Sequence, residues 1–303
     1  MPAAVKVRVP ATIANLGPGF DALGIAVCMH LEIDIEPRRD SIDLTVEGEG
    51  AESLPSDDTN LVLRSMNAFF DHVGRRPPGF AVRVKNPIPL GAGLGSSAAA
   101  IVGGLFAARA VTGRTVPQIE MVQLATSIEG HPDNVLPALL GGLVVCYRGR
   151  DEDLRYFRIE PSERLVPILA VPRDGFSTNE AREALPATVP FMDAQFTTAR
   201  AALLVAALST GAGSDVLGDA MNDRLHQPHR LKLMPESAAV HEELVAAGLP
   251  VALAGAGPSL LLVIPRPEAA TRAEQIRRIC RARNAGWRVF VSEWEPEGAR
   301  SDV

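Results

Sequence analysis

Lysine is nearly missing from this chain. Lys6, Lys85 and Lys232 are its three lysines in 303 residues, and every other one of the 30 basic residues is arginine. Chemistry that depends on a lysine therefore has very few candidates. Cysteine is as scarce. Cys28, Cys146 and Cys280 lie far apart, odd in number and without a C-x-x-C spacing, which argues against a disulfide framework or a cysteine zinc site and suits a reducing compartment. A basic excess is lacking too. The 30 basic residues face 36 acidic ones, a net charge of −6, so little is available to neutralise a run of phosphates and no nucleic-acid partner is expected. A single nucleotide needs only a local site and stays open. Unbroken apolar runs are also absent. Pro87–Ala108 and Leu244–Pro265 carry no charge and match a bilayer in length, but several glycines and at least two prolines interrupt each. No membrane span is expected. The opening MPAAVKVRVP lacks the apolar core of a secretory signal, so a cytoplasmic setting is the expectation.

What is present is ordinary globular material: 47% hydrophobic and 22% charged residues, in a chain long enough for two domains. Val5–Val9, Ile25–Glu36, Ile42–Val46 and Phe80–Val84 alternate as strands. Asn60–Val73 has helical spacing and stops at Gly74. An Ala-rich helix from about Ser96 and a second over Pro117–Glu129 follow. The charged stretch RGRDEDLR (Arg148–Arg155) is the best candidate boundary, and the tail runs helix, strand, strand, helix, strand, the order of a split β-α-β sandwich. The reading is an α+β protein with domains over 1–160 and 161–303.

The segment PIPLGAGLGSSAAA (Pro87–Ala100) is the most informative. A strand leads in, Gly91, Gly93 and Gly95 follow, and Ser96 and Ser97 open a helix. Glycines let backbone N–H groups close on an anion, and a helix N-terminus adds free donors and a positive dipole end. The pattern is not Walker A, which needs Gly-Lys-Ser/Thr, nor the dinucleotide fingerprint, since the glycines run G-x-G-x-G. A plain glycine turn with a serine cap is the bland reading, but paired prolines, three glycines and two serines at one strand-to-helix junction favour phosphate binding.

This segment resembles the ATP-binding signature of the GHMP kinase superfamily. PATIANLGPGFDALG (Pro10–Gly24), EGHPDNVLPALLGG (Glu129–Gly142), STNEAREALP (Ser177–Pro186), DRLHQPHR (Asp223–Arg230) and AGAGPS (Ala254–Ser259) resemble, in order, blocks of its homoserine kinase branch. The resemblance implies a two-domain fold, with an N-terminal domain like ribosomal S5 domain 2 and a ferredoxin-like C-terminal domain. It implies ATP-dependent phosphorylation of the side-chain hydroxyl of L-homoserine with Mg²⁺. A homodimer is common in the family and stays open here. Mevalonate or sugar phosphorylation is the alternative enzyme reading, opposed by the absence of lysine from the first block and by Asn134 where those enzymes use an Asp. A ligand-binding protein without catalysis is the other, opposed by an intact loop.

Residue by residue, the resemblance places ATP on Asn60, Lys85, Pro89, Leu90, Gly91, Ala92, Gly93, Leu94, Gly95, Ser96, Ser97 and Ala98. Lys85 reads equally well as a surface lysine ending a strand. Asn15, Asp21, His131 and Arg230 would hold the amino acid, with Asp21 on its ammonium and Arg230 on its carboxylate. Asn15 and Asp21 also read as turn residues. Asn134 would orient the hydroxyl and Arg182 stabilise the γ-phosphoryl group. Asn134 is an amide and takes no proton, so transfer without a dedicated base is implied. EGHPDN also reads as a capped helix start through Pro132 or Asp133. Ser97 and Glu129 are the metal candidates, since Gln123 stands where some relatives carry the acid. His226 and His229 are read as helix-end or interfacial residues, not a metal pair.

Overall fold

The computed structural model describes residues 5–302; Met1–Ala4 of the stretch read for a signal lie outside them. Strands β1 (Val5–Ala14), β2 (Leu23–Arg38), β3 (Ile42–Gly48), β4 (Gly79–Asn86), β5 (Leu143–Arg148) and β6 (Leu154–Ile159) build the first sheet, with helices α1 (Leu61–Val73), α2 (Ser96–Thr112), α3 (Gln118–Glu129) and α4 (Pro132–Leu140) over one face. Asn60 starts α1 by accepting a hydrogen bond from the Val62 amide, and Gly74 ends it in the left-handed conformation. Both ends fall where capping chemistry places them. Helix α2 is buried on nearly all sides, between α1 and β1, which its Ala- and Gly-rich sequence permits.

The chain then leaves this layer. Strand β7 (Leu165–Val171) is followed by α5 (Thr178–Glu183), α6 (Phe191–Thr210), α7 (Ser214–Ala220), α8 (Gln227–Leu231) and α9 (Pro235–Ala246), then β8 (Val251–Leu253), β9 (Leu260–Pro265), α10 (Ala269–Arg283) and β10 (Arg288–Val291). The second sheet has the antiparallel order β10-β7-β9-β8. Val166, Ile168 and Ala170 pack with Val240 and Leu244 of α9 and Ile276 and Cys280 of α10. Leu165, Leu169 and Val171 join the first core instead. Cover on both faces explains why β7 reads as a continuous apolar run. This is the split β-α-β layer expected.

Two expectations about organisation change. RGRDEDLR is no boundary: it is the turn between antiparallel β5 and β6, whose register pairs Arg148 with Leu154. A charged hairpin turn and a linker look alike in composition. Nor does the segment 161–303 stay in one layer. A final strand β11 (Arg300–Asp302) returns to pair with β1, Trp294 bridges to Val27, and Glu295 meets His30 of β2 at 2.5 Å. Trp294 and Arg300–Asp302 thus pair with strands of the first sheet. Among the described residues, no helix is long and apolar enough to cross a membrane.

Candidate active site

The glycine loop closes a cavity of about 450 Å³ between the layers. Gly91, Gly93 and Gly95 all have positive φ, at 62°, 75° and 69°. Two of the three also meet protein where a side chain would stand. A Cβ at Gly93 would lie 2.1 Å from the Ala254 carbonyl oxygen, and one at Gly95 would lie 2.0 Å from Thr12 Oγ1. Gly91 is open, with nothing nearer than 3.5 Å. The loop is thus wedged between β1 and the AGAGPS turn. Gly95 is the N-cap of α2 and provides no side-chain cap, so the first amides of that helix keep free donors for an anion.

Leu90 through Ser97 line the cavity together with Pro89, Asn60, Glu129, His131, Asn134, Thr178 and Gly255. Ser97 Oγ donates to Glu129 Oε1 at 2.5 Å, so the two metal candidates, far apart in sequence, come together at the start of α2. Ala98 is packed in the core and has only its backbone to offer. Asn60 walls the cavity, but its amide is engaged at both ends, by the Val62 N–H and the Pro55 carbonyl. Lys85 does not join the site. Strand alternation turns it to the outer face of the sheet, where it meets Asp34 at 3.7 Å.

His131 precedes α4, and its Nδ1 lies 2.8 Å from Asp133 Oδ1. That hydrogen bond raises the imidazole above its ordinary value against the opposing effect of burial. Asp133 is engaged there with its side chain 3% exposed. Asn134 Oδ1 accepts from Thr12 Oγ1 at 2.9 Å, which places the amide at the junction of β1 and the phosphate loop.

Asp21 and Arg182, expected on different parts of the ligands, pair with each other through two contacts of 3.1 Å. Both are half exposed, and such a pair is worth about 0–1 kcal/mol. Asn15 sits in the left-handed region with its Oδ1 accepting from the Asp21 amide and its Nδ2 donating to the Gly255 carbonyl. The structure gives it the turn-holding role, and both ends of its amide face protein.

Arg230, expected as a substrate clamp, is 2% exposed. Its Nε donates to the Ala181 carbonyl at 3.2 Å, and Nη1 donates to His226 Nδ1 at 3.2 Å and to the Gly255 carbonyl at 3.4 Å. Nη2 has no hydrogen-bond partner among the described residues. Burial lowers its pKa, with Asp21 opposing. His226 is buried, reaches the Gly17 carbonyl through Nε2 at 2.7 Å and lies against Phe20 with ring centroids 5.3 Å apart. Burial holds its pKa well below the ordinary imidazole value, so it stays neutral and its Nδ1 can accept from Arg230. His226 ties the first block to the arginine, a role beyond the helix-end reading. The available signal was the four-residue spacing from His226 to Arg230, one helical turn.

The family models for the GHMP kinases N terminal domain and GHMP kinases C terminal match residues 60–142 and 213–282. A homoserine kinase of Streptomyces avermitilis is 42% identical over 300 residues, covering 98% of this chain and 95% of that protein. The chain belongs to the homoserine kinase family. A second family member, from Caldanaerobacter subterraneus, is also 42% identical and covers 98% of this chain and 95% of its own. The solved structure of a homoserine kinase from Cytophaga hutchinsonii matches with a TM-score of 0.86 at 28% identity, covering 100% of this chain and 98% of that one. A mevalonate kinase of L. major matches with a TM-score of 0.74 at 14% identity, over 97% of this chain and 96% of its own, which speaks to fold alone. A larger groove of about 1090 Å³ passes Arg164, Arg266 and Trp294. No residue of the six motif blocks named above lines it, and its Arg266 is paired to Glu293.

Proposed function

We propose that this chain transfers the γ-phosphoryl group of ATP to the side-chain hydroxyl of L-homoserine, giving O-phospho-L-homoserine on the route to threonine. The observation that carries the reading is a single cavity lined by the glycine loop, the start of α2 and Asn134. The near full-length likeness to homoserine kinases supports the choice of substrate. The polyphosphate would run along the backbone of residues 91–98. Ser97 and Glu129 fit Mg²⁺: they offer hard oxygens 2.5 Å apart, and Mg²⁺ takes few protein ligands while keeping waters and phosphate oxygens. Bound there, the ion supplies positive charge for the β- and γ-phosphates.

A zwitterion suits Asp21, Arg182 and Arg230, the last of which donates to Gly255 on the cavity wall. Its ammonium would replace Arg182 on Asp21, and the freed guanidinium would turn to the transferring group. Its carboxylate would take the unpartnered Nη2 of Arg230. Asn134 would orient the hydroxyl, with His131 beside it. The transition state is loose, so the proton leaves late and positioning with charge stabilisation carries the rate. Three unpaired cysteines suit a cytoplasmic enzyme.

An ADP-release assay with homoserine, mevalonate and galactose tests the reading. ADP should form with homoserine alone. Release with another alcohol in its place, or with none, would overturn it.

Arg230 gives a sharper prediction. Arg230→Leu should raise the homoserine KM about 30-fold or more, the equivalent of losing about 2 kcal/mol from one charged hydrogen bond. The ATP KM should barely move. The same change removes three internal hydrogen bonds, so the melting temperature should fall as well. Steady-state kinetics on folded protein decide it, and equal effects on both KM values would move Arg230 to the phosphate side.

A further inference from the structure

We propose that Thr12 is a positioning residue for phosphoryl transfer, acting through Asn134. The inference rests on the function proposed above. Thr12 lies in β1 and is completely buried, so it touches neither substrate. Its backbone N–H donates to the Leu94 carbonyl at 3.1 Å, in the middle of the phosphate loop. Its hydroxyl donates to Asn134 Oδ1 at 2.9 Å. The same hydroxyl lies against Gly95, close enough that any Cβ there would fall 2.0 Å away. One residue therefore joins the amides that would hold the phosphates to the amide that would hold the nucleophile.

The chemistry of that hydrogen bond defines the role. An amide has an acceptor end and a donor end of nearly equal shape, so packing alone leaves it free to turn over. With the Thr12 hydroxyl donating to Oδ1, the acceptor end of the amide lies toward β1, and its NH₂ group is left for the cavity that Asn134 lines. Asn134 then donates to an oxygen in the cavity, the homoserine hydroxyl or the γ-phosphoryl, and its orientation is set before substrate arrives. Without the hydroxyl, Oδ1 loses its partner and the amide turns or shifts. A nucleophile misplaced by about 1 Å costs on the order of 10²-fold in rate.

Valine and serine separate hydroxyl from shape. Thr12→Val keeps the branched form and the strand propensity but removes the donor. Thr12→Ser keeps the donor and removes the methyl group. We expect kcat to fall about 10- to 100-fold in Thr12→Val, with both KM values within about twofold of wild type, and to return to within about threefold in Thr12→Ser. Thr12→Ala also lacks the hydroxyl and should lose kcat like the valine variant, which covers a valine variant that folds poorly. Added to Asn134→Ala, Thr12→Val should cost little more, because the group it orients is gone. Full activity in Thr12→Val, loss in Thr12→Ser greater than in Thr12→Val, or losses that multiply in the double variant would each overturn the role. Such results with an active wild type leave homoserine phosphorylation standing, whereas a wild type that releases no ADP with homoserine takes both readings down.

Discussion

Gly95→Val should abolish nucleotide binding and cut kcat/KM by about 10³-fold or more, the scale of losing preorganised donors to the transferring phosphate. Three effects act together. The residue sits at φ 69°, a region a β-branched side chain adopts only under strain, at about 1–3 kcal/mol. Its Cβ would stand 2.0 Å from Thr12 Oγ1 and 2.9 Å from the Thr12 carbonyl, so the loop must lift from β1. Lifting it carries away the free amides at the start of α2 and breaks the bond from Thr12 to Leu94. Gly91→Ala is the matched control, since its Cβ meets nothing nearer than 3.5 Å and only strain remains. Nucleotide titration by calorimetry, with a thermal melt on each variant, measures both effects. A folded Gly95→Val protein that still binds ATP would remove the phosphate-loop assignment.

The glycines show what local sequence can and cannot carry. Their number and spacing marked the loop, and anion access was the reason first suggested for them. Two of the three are also required by close approach to Thr12 and Ala254, residues far away in the chain. Helix α1 was legible almost to the residue because its signals, the Asn60 cap and the Gly74 stop, are local. So was the helix–strand–strand–helix–strand order from α9 to β10, though the short helices α7 and α8 were not. Strand β11 was not, because three residues pairing with β1 across nearly the whole chain leave no local pattern. Lys85 misled for the opposite reason. It adjoins the loop in sequence, but in a strand each next residue changes face, and the sequence alone did not say which face was the site. Asp21 and Arg182 were each found by motif, yet their mutual pairing belongs to the folded arrangement. Asn15 and Asn60 look like ligand residues in the motifs, but their amides are engaged in holding a turn and a helix start.

Asp133→Asn should leave a substantial fraction of kcat, within about tenfold of wild type, whereas Asn134→Leu should lose about 10²-fold or more. The two residues are adjacent but face different partners. The Asp133 carboxylate is turned to His131 at 2.8 Å with its side chain 3% exposed, while Asn134 lines the cavity. Asp133 acts on pH dependence instead. It raises the His131 pKa above its unfolded value near 6.5, so the stability from protonating His131 is fully present below that pH and is lost as pH rises through the folded value. Removing the carboxylate should flatten that dependence, and the melting temperatures of the wild type and Asp133→Asn should differ most on the acid side. The kinetic side of the test is kcat against pH for both proteins. A catalytic carboxylate imposes an acidic limb that disappears with its mutation. A well-folded Asp133→Asn enzyme slowed about 10⁴-fold, with that limb gone, would make Asp133 the general base. Retained turnover with the limb unchanged means that orientation by Asn134 and charge on the phosphates are enough.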